Sequence, residues 1–208
     1  MCGYMTITRI EEFGKNRNKI YIEGGPTFVL YRGELRMLDI HEGEEISEAA
    51  YARIFNEILP KRARLRALNL LKSREYTSYE LKKKLRDGYY PENIIDEAVG
   101  YAADYRYIDD LRYAVDYITS HEASRSRRRI EHDLMNRGIT PDMLEHAWLI
   151  WEEKGGIQDE QGMIKRLLEK RHYDPQTDDI REKRRTYAFL IRKGFNDDAV
   201  RRAMKATL

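Results

Sequence analysis

Thirty-eight lysines and arginines against thirty-six acidic residues leave this 208-residue chain a formal net charge of only +2, yet its cations are clustered. Lys82, Lys83, Lys84 and Arg86 form one group, and Arg125, Arg127, Arg128 and Arg129 a second. Arg181, Lys183, Arg184, Arg185, Arg192 and Lys193 form a third. Chemistry of this type is ionic binding, to nucleic-acid phosphates or to an acidic protein surface. The net charge alternates along the chain: −3 over residues 1–60, +8 over 61–86, −6 over 87–120 and +2 over 121–138, then −5 over 139–162, +5 over 163–194 and +1 over 195–208. Solubility and salt bridges between helices explain such bands segment by segment about as well as binding does. Residues 61–86 lean toward binding, because only Glu75 and Glu80 offset ten basic residues.

Bond-breaking chemistry finds little support. Asp109 and Asp110 are adjacent, and neighbours on a helix diverge by roughly 100°, so two such carboxylates do not converge on one atom. One is expected to cap a helix and the other to favour its positive N-terminus, with Tyr107 and Ile108 packing between repeats. The five histidines are scattered without metal-ligand spacing, and the glycines form neither a P-loop nor a dinucleotide fingerprint. A lone Cys2 allows no internal disulfide. Trp148 and Trp151, three apart, read as one packed helix face. The expectation is a protein that is not an enzyme, needs no cofactor and holds no metal.

The elements that must carry the cations repeat. With Leu85, Leu134 and Leu190 superposed, Leu81, Ile130 and Thr186 align, as do Tyr90, Ile139 and Phe195. Ile94-Ile95, Met143-Leu144 and Ala199-Val200 also align, followed by Ala98, Ala147 and Ala203. The offsets are 49 and 56 residues, the signature of an array of helical units that bury their apolar faces on one another. The predicted boundaries are a β-rich module with its connecting helix over 1–60, then repeats over 61–108, 109–157 and 158–208. On the helix of Leu81 and Leu85, helical geometry turns Lys83 away from the apolar face, with Lys82, Lys84 and Arg86 flanking it; Arg128 is likewise opposite Ile130 and Leu134.

Residues 5–38 read as β. Met5 to Ile10, Ile20 to Ile22 and Thr27 to Tyr31 are β-branched or aromatic runs, and Gly24-Gly25 marks a hairpin. A helix is expected to start near Ser47 and to end or meet a junction at Pro60. Thr77 to Glu80 matches a capping box, Thr140-Pro141 an N-cap with proline in the first turn, and Gly138 and Gly194 left-handed C-terminal caps. In the first repeat Tyr89 stands where that glycine would be, so its turn should differ. Asp174-Pro175 falls in a longer loop between repeats two and three. Among the tyrosines, Tyr90, Tyr101, Tyr105, Tyr113 and Tyr117 are expected in the core, and Tyr76, Tyr79 and Tyr89 at the surface.

With 41% hydrophobic and 36% charged residues, no run approaches the roughly 18 apolar residues of a membrane span, and the N-terminus lacks signal-peptide order. A cytoplasmic monomer without membrane association is the simplest reading.

Several of these segments carry a family resemblance. Ala67-Leu68-Asn69-Leu70-Leu71, Tyr79 to Leu85, Tyr107-Ile108-Asp109-Asp110 with Tyr113-Ala114, Arg129 to Leu134 and Arg137-Gly138-Ile139 together resemble the RecX family of bacterial RecA regulators. Phe189 to Phe195 resembles the family's last repeat, and the β-rich leader resembles the N-terminal extension of Gram-positive members. Many members have Gly-Pro where this chain has Ser126-Arg127, which replaces a stiff turn with flexible, basic residues. The resemblance implies a mainly α fold of three tandem three-helix repeats in an elongated, curved array behind a small β-hairpin-rich N-terminal module. It also implies a non-enzymatic modulator, inhibitory in most members, that binds in the groove of the RecA nucleoprotein filament and acts in recombination, repair and the SOS response.

Lys82, Lys83, Lys84, Arg86, Arg125, Arg127, Arg128, Arg129, Arg184, Arg185, Arg192 and Lys193 are the expected contacts to filament or DNA, single- or double-stranded. Leu81, Leu85, Ile130, Leu134, Leu190 and Phe195 join Tyr107 and Ile108 as repeat-packing residues. The basic segments alone fit a second reading, a general nucleic-acid-binding helical repeat without recombinase specificity.

Overall fold

The computed structural model describes residues 5–206. It is mainly helical, with a small antiparallel sheet near the N-terminus. The described residues form two compact units, one ending at Asp109 and the other starting at Asp110.

In the first unit, β1 (Ile7–Glu12), β2 (Arg17–Ile22) and β3 (Phe28–Tyr31) form a sheet in the order β1-β2-β3. Ile20 opposes Ile10 on one side and Phe28 on the other. Along β2 the alternate residues Asn18, Ile20 and Ile22 are buried, the period of two expected of a strand with one covered face. The β-reading stops short of its expected end: Arg32–Met37 is a short helix, α1. There the Glu34 carboxylate accepts from the Tyr31 amide at 2.7 Å, satisfying a donor that no further strand pairs with.

Ser47 caps α2 (Glu48–Arg53), accepting the Ala50 amide at 3.1 Å. Pro60 does not end this helix. A π-helical turn over Ile54–Ile58 leads directly into α3 (Leu59–Leu71), which carries Pro60 in its first turn. A proline ring clashes with the carbonyl four residues back and offers no amide, and a widened turn accommodates both defects.

The first three-helix unit is α3, α4 (Ser78–Arg86) and α5 (Glu92–Asp104). It shares one apolar core with the sheet, running from Ile20 and Phe28 through Ile54 and Ala63 to Leu81, Leu85 and Ile95. Arg62 of α3 reinforces the junction by donating to the Val29 carbonyl at 2.8 Å and pairing with Glu34.

In the second unit, α6 (Asp110–His121), α7 (Arg127–Met135) and α8 (Pro141–Glu153) enclose Ile130, Leu134, Ala147 and Trp148. The next three helices, α9 (Glu160–Lys170), α10 (Ile180–Arg192) and α11 (Asp197–Ala206), enclose Ile164, Leu168, Leu190 and Phe195. The aligned positions Leu81, Leu85, Ile130, Leu134, Thr186 and Leu190 are all buried, so the sequence repeat is a repeat of core positions. Thr77 and Thr140 cap their helices as expected. Gly138 and Gly194 have φ of 85° and 91°, and Tyr89 takes φ of 58° in the corresponding first-repeat turn. Trp148 and Trp151 are buried in edge-to-face contact, ring centroids 5.3 Å apart.

Three tyrosines depart from expectation. Tyr107 was expected to pack with Ile108, but it is 52% exposed and stacks on the 63% exposed Tyr105, while Ile108 is buried. Arg106, at φ of 55°, lies between the two tyrosines; the chain leaves its helical path there, so the helical period no longer decides which side chains face inward. Tyr76 is buried instead of surface-exposed, with the Arg74 guanidinium 4.0 Å above its ring.

Candidate functional site

The first basic stripe is positioned by the N-terminus of α4. The Thr77 hydroxyl accepts the Glu80 amide at 3.2 Å, and the Glu80 carboxylate accepts the Thr77 amide at 3.4 Å. With Leu81 and Leu85 fully buried, the remaining faces of α4 turn outward. Much of the charge they carry is answered from nearby. Lys82 pairs with Asp96 at 2.6 Å, and Lys84 stands 3.8 Å from Asp87. Arg86 grips both oxygens of Glu92 at 2.6 and 2.8 Å. That fork keeps the exposed Glu92 carboxyl below its ordinary value, chiefly through the hydrogen bond from Arg86. The acidic segment after α4 thus supplies partners for the basic one. Among the described residues, exposed Lys83 is the stripe's one cation without an ion pair.

The second cluster divides in the same way. Arg125 donates to Asp133 and to the Tyr117 hydroxyl, both at 2.6 Å, and Arg129 meets Asp133 at 3.1 Å. Burial pushes the Asp133 carboxyl up, but Arg129 and Arg125 together outweigh it and hold the group below its ordinary value. Arg127 pairs with Glu131 at 3.0 Å and Glu152 at 3.4 Å, its guanidinium 4.3 Å from the Trp148 ring centre. Arg128 is exposed and has no ion pair among the described residues.

The third cluster is the least neutralised. Arg184, Arg185, Arg192 and Lys193 are all exposed, and none forms an ion pair among the described residues. Arg192 and Lys193 join Arg125 and Arg129 in lining one concavity of about 520 Å³, with Leu167, Phe189 and Phe195 as its apolar part. Clusters far apart in sequence therefore meet in the second unit. Ser126 makes the junction: it caps α7 by accepting the Arg129 amide at 3.3 Å and donates to the Lys193 carbonyl at 2.9 Å. The Lys82 to Arg86 stripe belongs to the first unit.

A second cleft of about 520 Å³ lies between the sheet and α3–α4, and of its cations only Lys84 was singled out from sequence. Arg17 comes from β2, Arg62 and Arg66 from α3, and Lys84 from α4, with Tyr31, Tyr89 and Tyr90 among them. Arg62 and Arg66 are one turn apart, a visible pattern, but nothing local in sequence ties Arg17 to them.

Among the described residues, no group of three or more His, Cys, Asp or Glu side chains could hold a metal, and no helix is long and apolar enough to cross a membrane.

Comparisons with known proteins agree with this architecture. Residues 63–101 match the first three-helix domain of RecX and residues 158–204 the third. The regulatory protein RecX of Caldanaerobacter subterraneus subsp. tengcongensis is 30% identical over 205 residues, covering 98% of this chain and 100% of the relative. That of Trichlorobacter lovleyi is 30% identical over 146 residues, covering 68% and 93%. In fold, the chain is similar to a crystal structure of regulatory protein RecX, with a TM-score of 0.61 at 23% identity over 95% of this chain and 97% of the other. It is also similar to RecX from Lactobacillus salivarius, with a TM-score of 0.54 at 22% identity over 71% and 95%. With three-helix domains matched at both ends of the array and a 30% identical relative aligned along its full length, this chain belongs to the RecX family of regulatory proteins.

Proposed function

We propose that the chain regulates the RecA recombinase by binding its nucleoprotein filament, most simply as an inhibitor, and that it does so without catalysis of its own. The observation that carries this reading beyond family membership is the set of exposed cations with no internal ion pair among the described residues: Lys83, Arg128, Arg184, Arg185, Arg192 and Lys193. Cations already neutralised within the fold gain little from an external anion, whereas these retain their full charge for phosphates or an acidic protein face. Soluble action in the cytoplasm, where the filament forms, follows from this role.

The test is single-stranded-DNA-dependent ATP hydrolysis by the cognate recombinase, with this protein at stoichiometric and substoichiometric amounts, alongside a variant with Lys83, Arg128, Arg184 and Arg185 changed to Ala. A changed rate with wild type and a much weaker change with the variant support the reading and its contact face. The convergence of Arg125, Arg129, Arg192 and Lys193 in one concavity favours a second reading, nucleic-acid binding without recombinase specificity. That reading prevails if hydrolysis is unaffected while free DNA is bound with a steep salt dependence.

A further inference from the structure

The N-terminal sheet shares an apolar core with α3 and α4. The cleft it forms with α3 and α4 has a volume of about 520 Å³, within the roughly 300–1,000 Å³ of small-ligand sites. Its charge is unbalanced. Arg62 is offset by Glu34 and Lys84 by Asp87, but Arg17 and Arg66 are exposed, line the cleft and form no ion pair among the described residues. Three of its guanidiniums act on one half-buried group: partial burial pushes the Tyr90 phenol up, against the opposing pull of Arg62, Arg66 and Arg17. Their positive fields therefore converge on the phenol from two elements, β2 and α3.

The other component is aromatic. Tyr31 is 45% exposed at the cleft, held by the Arg62 guanidinium 4.6 Å from its ring centre. Tyr89 is fixed by edge-to-face contact with Phe13 at 5.2 Å and by Lys19, whose ammonium lies 3.9 Å from its ring centre. Tyr89 adopts φ of 58°, a left-handed conformation rarely taken by an aromatic residue. Uncompensated arginines beside anchored aromatic rings are the combination that binds nucleotides, with phosphate on guanidinium and base on ring. An acidic peptide would use the charges but leave the rings unused.

We propose that this cleft binds a nucleotide unit of a single-stranded nucleic acid, with Arg17 and Arg66 taking the phosphate and Tyr31 the base. The assignment does not depend on which protein the chain regulates. It gives the N-terminal sheet a binding role, since Arg17 and Tyr31 are both sheet residues.

The experiment measures binding of a labelled single-stranded oligothymidylate to the full chain by fluorescence anisotropy. Arg17→Gln with Arg66→Gln is compared with Arg53→Gln with Lys61→Gln, which remove equal charge from exposed residues of the same unit outside the cleft. All four side chains are exposed, so the fold is retained, and unchanged thermal melts verify this. The first pair should weaken binding about tenfold and lower the log–log salt slope by about 1.4, the release expected for two phosphate contacts to a single strand. The second pair should weaken binding less than about twofold. Tyr31→Ala should weaken binding severalfold and leave the salt slope unchanged, as lost stacking requires.

Equal weakening by the two pairs, or no binding by wild type, overturns the proposal. Displacement by polyglutamate at equal charge overturns the nucleotide assignment. Displacement by thymidine monophosphate as effectively, per nucleotide, as by the oligomer overturns the strand.

Discussion

The Ser126 hydroxyl donates a 2.9 Å hydrogen bond to the carbonyl of Lys193, 67 residues away in the chain. The same oxygen caps α7 by accepting from Arg129. One buried side chain thus ends a loop, starts a helix and ties two three-helix units together. Ser126→Ala should cost about 1–2 kcal/mol through loss of the cap and of the inter-helix bond, read as a lower urea midpoint.

Gly194, next to Lys193, packs against the same hydroxyl. A Cβ there would lie 2.6 Å from the Ser126 oxygen, and φ is 91°. Gly194→Ala should therefore destabilise by about 1–3 kcal/mol. Part of that cost is the clash, so Ser126→Ala combined with Gly194→Ala should be milder than the sum of the two by about 0.5 kcal/mol or more. A double-mutant cycle in urea checks this; strict additivity would argue against the contact.

Asp133 should make the second unit acid-sensitive. Its carboxyl is held below the ordinary value, with Arg129 and Arg125 outweighing the opposing effect of burial. A depressed carboxylate contributes stability that is fully present above its unfolded pKa of about 4 and lost as pH falls through the lower folded value. Asp133→Asn should cost on the order of 1 kcal/mol at neutral pH. The gap between variant and wild type should close as pH falls below about 4. Thermal melts from pH 7 downward test it, and a constant gap would contradict it.

Gly156 is a packing glycine: a Cβ there would overlap the Trp151 indole. Because that ring is buried against Trp148, it cannot move aside freely. Gly156→Ala should destabilise by about 1–3 kcal/mol, the usual overpacking cost. Altered tryptophan emission in the folded state would report the displaced ring.

Paired and unpaired cations should differ in function. Removing Lys82 and Arg86 also strands Asp96 and Glu92, whereas removing Arg184 and Arg185 deletes charge that has no ion-pair partner among the described residues. In the recombinase ATPase assay, Arg184→Ala with Arg185→Ala should weaken regulation severalfold. Lys82→Ala with Arg86→Ala should act less, and its loss should appear partly as reduced stability. The reverse order would show that the internal ion pairs open on binding.

The sequence by itself determined what is periodic and local. Core positions such as Leu81, Leu85, Ile130, Leu134 and Leu190, and helix starts such as Thr77 and Thr140, follow from helical spacing and from short-range hydrogen bonding to nearby amides. Only the tertiary structure decided which cations remain uncompensated. Lys82 finds Asp96 and Arg125 finds Asp133 across separate helices or turns, while Lys83 and Arg128 find no such partner. Tyr107 departed from expectation where a left-handed residue altered the helical path, and Pro60 marks the junction of a π-turn with α3 instead of ending the helix. The clefts were invisible for the same reason. Arg17 and Arg66 come to line one cleft, and Arg129 and Lys193 another, through the packing of distant elements, and charge compensation depends on distance in space, which no spacing along the chain encodes.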